Sequence, residues 1–273
     1  MTQNASANEA QRRVWNDPTF VERWKRRERG VEPLTAPLIE HLGLAPGERV
    51  IDIGCGGGNS TLAAAVAVGA KGAAVGVDLS APLLELARER AAQAGLTQAS
   101  FVVDDAQTAQ IPGAPFDVAM SRLGVMFFSQ PVAAFTNIRK HLRPGGRLAF
   151  LCMREGDANP SVPPLIARLF GSLASQGGGV RPPSPIALAD RDYTEGILRA
   201  AGFVDIECKP GSHILREDAG TLSDERALAP FRLSPEEHAA AARELREYEA
   251  KYLVDGELRV LQGYYIFSAK NGA

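Results

Sequence analysis

Apolar residues along the chain recur with two different periods. Short apolar runs, typical of buried strands, alternate with stretches in which apolar residues return every three or four positions, as on one helix face. The predicted strands are 50–53, 74–77, 100–103, 116–120, 147–153, 204–209 and 262–269. Alternation of strands and helices favours right-handed crossovers and a parallel sheet. We therefore expect an α/β fold with ligands at the carboxyl ends of the strands.

Local signals place the helices between these strands. Asn59-Ser60-Thr61 offers capping side chains for a helix that ends at Gly69. Ser80 caps the next predicted helix, and another helix carries Val132, Phe135, Ile138 and Leu142 on its apolar face. A further helix is predicted over Asp190–Ala201, and the segment from Glu217 to Leu253 is expected to interrupt the sheet before its last strand.

The first strand runs directly into a glycine-rich turn, Gly54-Cys55-Gly56-Gly57-Gly58. Glycine adopts tight turns and lets a ligand approach the backbone, so the turn predicts a nucleotide-cofactor loop. A dinucleotide fingerprint would place a third glycine at Asn59, and the Lys-Ser/Thr pair of a P-loop is missing. The second strand ends at Asp78, whose carboxylate can accept hydrogen bonds from both hydroxyls of a ribose.

In this order, the motifs resemble those of the class I S-adenosylmethionine-dependent methyltransferases. The resemblance is to the small-molecule branch that includes enzymes of ubiquinone and menaquinone biosynthesis, with a methyltransferase domain of the 11/25 type. The segments that carry it are 52–58, 76–80, 101–106, 116–121 and 142–148, within a region of about residues 49 to 201. It implies a doubly wound, mostly parallel, seven-stranded Rossmann-like sheet with helical lid insertions. It also implies S-adenosyl-L-methionine as cofactor and S-adenosyl-L-homocysteine as product.

The resemblance assigns the methionine and ribose contacts residue by residue. Gly54, Cys55 and Gly56 would lie along the methionine moiety, and Asp78 would hold the ribose hydroxyls. Asp52 would organise the turn and meet the amino group of the methionine, directly or through water. Cys55 is expected to fill space as a small residue.

The adenine contacts are assigned in the same way. Asp105 and the Ala106 amide would read the adenine edge, while Leu79 would pack on the adenine face. Ser121 and Leu123 would line the cofactor at the end of the fourth strand. Of the adjacent acidic pair, Asp104 is expected to be a solvated loop charge.

Three aromatic residues, Trp15, Phe20 and Trp24, lie in an otherwise charged N-terminal segment. They resemble the aromatic arm that closes over the cofactor in this branch, so Trp24 is a candidate cofactor contact. The alternative is that they only dock a helix on the sheet. The whole chain, 1–273, is expected to be one methyltransferase domain. Its predicted parts are a helical arm (1–48), a cofactor-binding core (49–153) and two lid or substrate insertions (154–189 and 217–255).

Two residues are candidates for a direct role in the reaction. His213 follows the sixth strand at the expected ligand rim and is the best candidate for a general base. Arg122 follows the fourth strand and could steer an acidic acceptor or the cofactor carboxylate, although a surface salt bridge is an equal alternative. His141 is explained by its place at a helix C-terminus. The four histidines show no metal-ligand spacing, so no metal is expected.

The bulk properties are those of an ordinary enzyme. The chain has 273 residues, 45% hydrophobic residues and a net charge of −2, which argues against a nucleic-acid partner held through phosphates. No apolar run approaches membrane-spanning length, and the polar N-terminus shows no signal peptide. The three cysteines suggest reduced thiols and a cytoplasmic location. The oligomeric state stays open, with a homodimer as one option.

Together these features predict methyl transfer to a small-molecule acceptor. Met126-Phe127-Phe128 and Phe170 are apolar and suggest a lipophilic or natural-product acceptor, although core packing competes as an explanation. Transfer to oxygen or carbon is favoured, and transfer to nitrogen stays open. The rival functions are a nicotinamide oxidoreductase and a protein of the same fold that binds the cofactor without transferring its methyl group.

Overall fold

One central sheet organises the chain, whose computed structural model describes residues 11–156, 159–176 and 181–272. Its strands are β1 (Arg49–Ile53), β2 (Ala73–Asp78), β3 (Ala99–Val103), β4 (Phe116–Arg122), β5 (Leu142–Met153), β6 (Phe203–Asp218), β7 (Leu253–Val254) and β8 (Glu257–Asn271). Their spatial order is β3-β2-β1-β4-β5-β8-β6, and β7 pairs with β8. The mostly parallel α/β sheet is thus confirmed, with eight strands rather than seven because of the two-residue β7.

Helices cover both faces of the sheet. They are α1 (Pro18–Val31), α2 (Thr35–Leu42), α3 (Asn59–Val68), α4 (Ala81–Gln93), α5 (Pro131–His141), α6 (Pro164–Gln176), α7 (Arg191–Ala200) and α8 (Pro235–Ala250), with 3-10 turns at Glu32–Leu34, Val125–Phe127 and Glu225–Phe231. One face packs on α2 and α3, through Leu38, Ala64 and Val68. The other packs on α5 and α7, through Phe135, Ile138 and Leu198.

The strand order reverses between β1 and β4. The chain runs outward from β1 to β2 and β3, then returns to place β4 on the other side of β1. A reversal of this kind opens a crevice at the carboxyl ends of the two strands, where ligands of such folds bind. The glycine-rich turn follows β1 at this position.

Two local predictions are wrong. The N-cap of α3 is Gly58, with φ +86°, and not the Asn-Ser-Thr segment. The hydroxyls of Ser60 and Thr61 instead donate to the Asp52 carboxylate. Val132 is 39% exposed, because the buried face of α5 is formed by Ala134, Phe135, Ile138 and His141.

The last two long strands also extend beyond their predicted limits. β6 and β8 pair antiparallel from Phe203↔Asn271 to Asp218↔Glu257, so both strands are longer than predicted. The expected interruption of the sheet is present, since the 3-10 turn Glu225–Phe231 and α8 lie between β6 and β7. The extension encloses a small cluster of Leu215, Leu258 and Val260. In the described residues, no helix is both long and apolar enough to cross a membrane.

Candidate functional site

The glycine turn is held by backbone contacts to its two neighbouring strands. The Gly54 and Cys55 amides both donate to the Val77 carbonyl, at 2.8 and 3.2 Å. Gly54 has φ +67°. A Cβ at Gly54 would lie 2.7 Å from the Gly124 Cα, in the loop after β4. Only glycine fits a left-handed backbone pressed this closely against another chain segment.

Asp52 lies at the end of β1 and is fully buried. One carboxylate oxygen, Oδ2, accepts hydrogen bonds from the Ser60 and Thr61 hydroxyls, both at 2.7 Å. The other, Oδ1, is the only buried side-chain polar atom without a partner in the described part of the chain. Burial raises the pKa of Asp52 to about 6, although the two hydroxyls and the Arg122 charge oppose the rise. A cationic group at Oδ1 would satisfy this carboxylate.

Asp78 lies at the end of β2 and faces the turn. Its Oδ2 accepts from the Gly56 amide at 2.8 Å, and its Oδ1 accepts from the Ser80 amide at 2.9 Å. Burial raises the pKa of Asp78, and the backbone hydrogen bonds counteract this. A carboxylate has about four acceptor sites, so Asp78 can still accept from hydroxyl groups.

Between these residues, Cys55 packs into the interior. Its side chain is 3% exposed and lies against Leu84, Ala87 and Phe101. Burial raises the pKa of the Cys55 thiol well above its ordinary value. The residue therefore contributes backbone to the turn and a small side chain to the core.

The end of β3 carries the residues expected at the adenine. Asp105 and Ala106 are both buried, and Asp105 accepts a hydrogen bond from the Gln107 amide at 3.0 Å. Asp104 is half-buried, and its Oδ1 accepts from the Asp105 amide, so it shapes the loop rather than simply facing solvent. Leu79 is half-buried near the start of α4.

At the end of β4, Ser121 and Leu123 form the other wall of the crevice. The Ser121 hydroxyl donates to the Ile53 carbonyl at 2.7 Å and accepts from the Gly124 and Val125 amides. Leu123 has φ +63°, a strained conformation for a residue with a side chain. The Ser121 side chain therefore holds this loop beside the turn that follows β1.

Arg122 is buried, which excludes the surface salt bridge offered as an alternative. Its guanidinium donates to the Val31 carbonyl at the end of α1 and to the Thr35 hydroxyl of α2. No carboxylate of the described residues lies within ion-pair distance of it. Burial lowers the pKa of Arg122, while the nearby Asp52 charge raises it.

The N-terminal arm lies directly on the glycine turn. A Cβ at Gly56 would lie 2.6 Å from the Trp24 indole, and one at Gly57 would lie 2.8 Å from it. Asn16 bridges Leu79 and Ala81 through hydrogen bonds to a carbonyl and an amide. The structure thus brings Trp24 together with the residues predicted to bind the cofactor.

Sequence reasoning missed Glu28 and Arg90, which join this arm to the turn. Glu28 on α1 is 6% exposed and forms a two-point ion pair with Arg90 on α4, at 2.8 and 2.7 Å. Arg90 Nη1 also donates to the Gly57 carbonyl and to Asn59 Oδ1, both at 3.0 Å. The sequence did contain a signal for this pair. Glu28 follows Trp24 by four residues and Arg90 follows Ala87 by three, so each charge lies on the apolar face of its helix.

His213 lies on β6, and both β8 and β5 stand between this strand and β4. Its Nε2 lies 2.7 Å from Gln262 Oε1. His141 Nε2 accepts from the Ile111 amide at 3.0 Å, so it connects α5 to a loop as well as occupying a helix end. Across the residues that the structure describes, no group of three potential metal ligands comes together.

A cavity of about 230 Å³ lies between α6 and the segment 181–187 that precedes α7. Its lining combines three polar or charged residues, Glu155, Arg181 and Ser184, with six residues that are apolar or glycine: Ala167, Phe170, Gly171, Pro182, Ile186 and Ala187. The Ser184 amide donates to the Met126 carbonyl at 3.4 Å. The segment that lines the cavity therefore contacts the 3-10 turn at Val125–Phe127, which follows β4.

Comparison with known protein families gives a match to a methyltransferase domain over residues 50–146. Aklanonic acid methyltransferase DauC of Streptomyces sp. strain C5 is 38% identical over 124 residues, which are 44% of this chain and 56% of that protein. O-methyltransferase rstn1 of Aspergillus nomiae is 32% identical over 198 residues, which are 71% of this chain and 79% of that protein.

Among solved structures, phosphoethanolamine N-methyltransferase 2 of Haemonchus contortus, in complex with phosphomonomethylethanolamine and S-adenosylhomocysteine, has the same fold. It is 20% identical, with a TM-score of 0.55, and the match covers 88% of this chain and 53% of that one.

Proposed function

Because the chain belongs to the class I S-adenosylmethionine-dependent methyltransferases, we propose that it methylates an oxygen atom of a small, lipophilic acceptor of the natural-product type. The glycine turn, Asp52 and Asp78 meet at the switch point of the sheet, which supports the cofactor half of this proposal. The cavity beside α6, whose lining includes Phe170 and Ile186, supports the acceptor half.

The charges near the end of β1 fit the methionine moiety of the cofactor. We assign its ammonium group to Asp52 Oδ1, the unpartnered buried oxygen. We assign its carboxylate to Arg122, whose buried guanidinium has no carboxylate partner in the described residues. The two side chains are close enough that each shifts the pKa of the other towards the charged form, although burial has the larger effect on both. The unpaired oxygen of Asp52 is the observation that carries the function.

The remaining cofactor contacts follow the strand ends. The remaining acceptor sites of Asp78 are suited to the ribose hydroxyls. Asp105 and Ala106 are proposed to read the adenine edge, and Leu79 to pack on its face. Gly54, Cys55 and Gly56 would expose backbone to the methionine chain, with Ser121 and Leu123 on the opposite wall and Trp24 above.

When bound, the cofactor supplies a methyl group already activated on a sulfonium. The protein then has to align the acceptor and exclude water, which the arm and the lid region are placed to do. His213 is the candidate base from the sequence, but its strand lies three positions from β4 in the sheet, so we propose that methyl transfer does not depend on it. The name of the rstn1 relative, an O-methyltransferase, supports oxygen as the methyl-accepting atom.

The test combines binding with turnover. Calorimetry should show binding of S-adenosylhomocysteine and none of NAD. Incubation with methyl-labelled S-adenosylmethionine and a panel of phenols, carboxylic acids, carbon acids and amines should label an oxygen of an apolar member. Cofactor binding without any transfer, to the panel or into cell extract, would instead support a non-methylating protein of this fold. Labelling of amines alone would overturn the choice of oxygen.

A further inference from the structure

The buried face of α1 contains a charged residue that apolar packing does not explain. Val21, Trp24 and Glu28 lie on the same side of the helix at spacings of three and four residues. Val21 and Glu28 are both 6% exposed. Placing a carboxylate in such a position costs free energy unless a cation and further hydrogen bonds compensate it.

The compensating cation is Arg90, which reaches three chain segments at once. Its guanidinium binds both Glu28 oxygens on α1, the Gly57 carbonyl in the glycine turn and the Asn59 side chain at the start of α3. A Cβ at Gly57 would lie 2.8 Å from Arg90 Nη1 and 2.8 Å from the Trp24 ring. The guanidinium and the indole therefore pack on the same stretch of the turn.

We propose that Arg90 is a positioning residue that couples the docking of α1 to the conformation of the glycine turn. Through this coupling, cofactor affinity depends on the Glu28–Arg90 ion pair, although neither residue is among the proposed cofactor contacts. The inference rests on the proposed cofactor site and is independent of the acceptor.

The physical basis is the geometry of the pair. The Glu28 side chain is 8% exposed and that of Arg90 is 29% exposed, so the pair is partly buried. Such a pair gives little net stability compared with apolar packing, but it imposes a defined arrangement because an unpaired carboxylate at Glu28 would be costly. The planar guanidinium satisfies a bidentate carboxylate with one edge and still has N–H groups for the turn. Lysine in its place could pair with Glu28 but could not hold Gly57 and Asn59 in the same geometry.

The experiment measures S-adenosylhomocysteine affinity by calorimetry in a cycle of variants. Glu28→Gln and Asn59→Ala should each weaken binding, Glu28→Gln by about tenfold, a size typical of coupling between sites. The double variant should lose less than the product of the two single losses. In an Arg90→Met background, Asn59→Ala should have no further effect, and Glu28→Gln should not weaken binding further, because it then removes an unpaired charge. In an Arg90→Lys background, Glu28→Gln should still weaken binding in part, whereas Asn59→Ala should no longer weaken it.

A matched control lies on the same helix. Glu22→Gln removes a carboxylate that forms an exposed ion pair with Lys25, and it should leave the affinity unchanged. In a Trp15→Phe background, Trp24 is the only tryptophan of the chain, so its fluorescence reports the docking of α1. Its emission should shift to longer wavelength in Glu28→Gln and not in Glu22→Gln.

Three results would overturn the proposal. One is a Glu28→Gln affinity equal to that of Glu22→Gln, even with a lower melting temperature, since the pair would then be structural only. Another is a double variant, Glu28→Gln with Asn59→Ala, whose loss of affinity equals the product of the two single losses. The third is a loss of affinity from both substitutions that persists in the Arg90→Met background. Failure of the unaltered protein to bind S-adenosylhomocysteine would instead contradict the proposed cofactor site.

Discussion

The proposed cofactor side, at the crevice between β1 and β4, and the proposed acceptor side, at the cavity beside α6, are built in different ways. On the cofactor side, main-chain groups of adjacent strands form the contacts, as where the Gly54 amide meets Val77 and the Gly56 amide meets Asp78. On the acceptor side, side chains from distant parts of the chain meet, as in the edge-to-face contact of Phe170 with Phe231, whose centroids lie 4.9 Å apart.

Because of this difference, the two sides should respond differently to substitution. A turn that is held by backbone geometry tolerates almost no added atom, whatever acceptor the enzyme uses. A cavity whose walls include apolar side chains can change shape through substitution at constant cofactor affinity. Substitutions on the two sides are therefore expected to separate cofactor affinity from acceptor affinity.

Gly54→Ala should have the largest effect. The new Cβ meets the Gly124 Cα at 2.7 Å, and alanine is strained at φ +67°. Overpacking and strain together cost about 3 kcal/mol, so S-adenosylhomocysteine affinity should fall by about 100-fold. Calorimetry measures this loss, and denaturant unfolding measures any part that falls on stability.

The matched control for this change is Gly196→Ala on α7. Its Cβ would meet nothing within 4 Å, and alanine favours a helix over glycine by about 1 kcal/mol. This variant should bind normally and be at least as stable as the unaltered protein. Equal behaviour of the two variants would show that the turn is not held as the structure indicates.

Asp52→Asn should raise the stability of the protein and lower its affinity for the cofactor. Burial raises the pKa of Asp52 to about 6 in the folded protein, from 3.8 when unperturbed. The folded state therefore holds this proton more tightly, and Asp52 lowers stability progressively as pH rises between these values. Above about pH 6 the variant should be more stable by up to about 3 kcal/mol. Denaturant unfolding from about pH 4 to about pH 8 measures this difference.

Binding should change in the opposite direction. Asparagine removes the charge that we assign to the methionine ammonium, so S-adenosylhomocysteine affinity should fall by about tenfold near neutral pH. In the unaltered protein the affinity should fall as pH drops below about 6, because Asp52 becomes protonated. An unchanged affinity in Asp52→Asn, together with a pH-independent affinity in the unaltered protein, would show that the methionine ammonium does not bind at Asp52 Oδ1.

The placement of the glycine turn and of the acidic strand ends could be predicted because these signals are local, while their contacts with the cofactor stay a prediction. Glycines after a short apolar strand and carboxylates at the following strand ends are visible in sequence. Glu28 and Arg90 were not predicted, since a lone charge in a helix normally indicates a solvent-facing position and its partner is 62 residues away. The burial of Arg122 was missed for a related reason, because it depends on α1 and α2 covering the end of β4.

The acceptor side was predicted only as lid-like insertions with apolar residues. Phe170 was singled out as apolar, and it lines the cavity. The polar residues that line that cavity, such as Arg181, were not predicted. The Arg181 side chain is positioned by an ion pair with Asp190 at 3.0 Å and by its cation–π contact with the Tyr193 ring. Such contacts depend on how α7 packs against the preceding loop, which no local pattern specifies. The division of the chain into arm, core and insertions stays a prediction.

Phe170→Ala should affect the acceptor alone. It removes an aromatic wall of the cavity and its contact with Phe231, so the KM for an apolar acceptor should rise by about tenfold, as expected for the loss of one buried aromatic contact. S-adenosylhomocysteine affinity should stay within about twofold, less than the effect of one hydrogen bond. Val132→Ala, at an exposed position of α5, is the control. A loss of cofactor affinity in Phe170→Ala would contradict the separation of the two sides.

His213→Gln should have the smallest effect. Strands lie about 4.8 Å apart, so three steps of the sheet place β6 about 14 Å from β4. Glutamine can still donate to Gln262, which preserves the local hydrogen bond. We expect kcat to change by less than about threefold, below the usual contribution of a general base, with an unaltered pH profile. A limb of the kcat profile that titrates in the histidine range and disappears in the variant would instead establish His213 as the base. It would also mean that the extended β6–β8 pair bends far enough to bring His213 close to the acceptor.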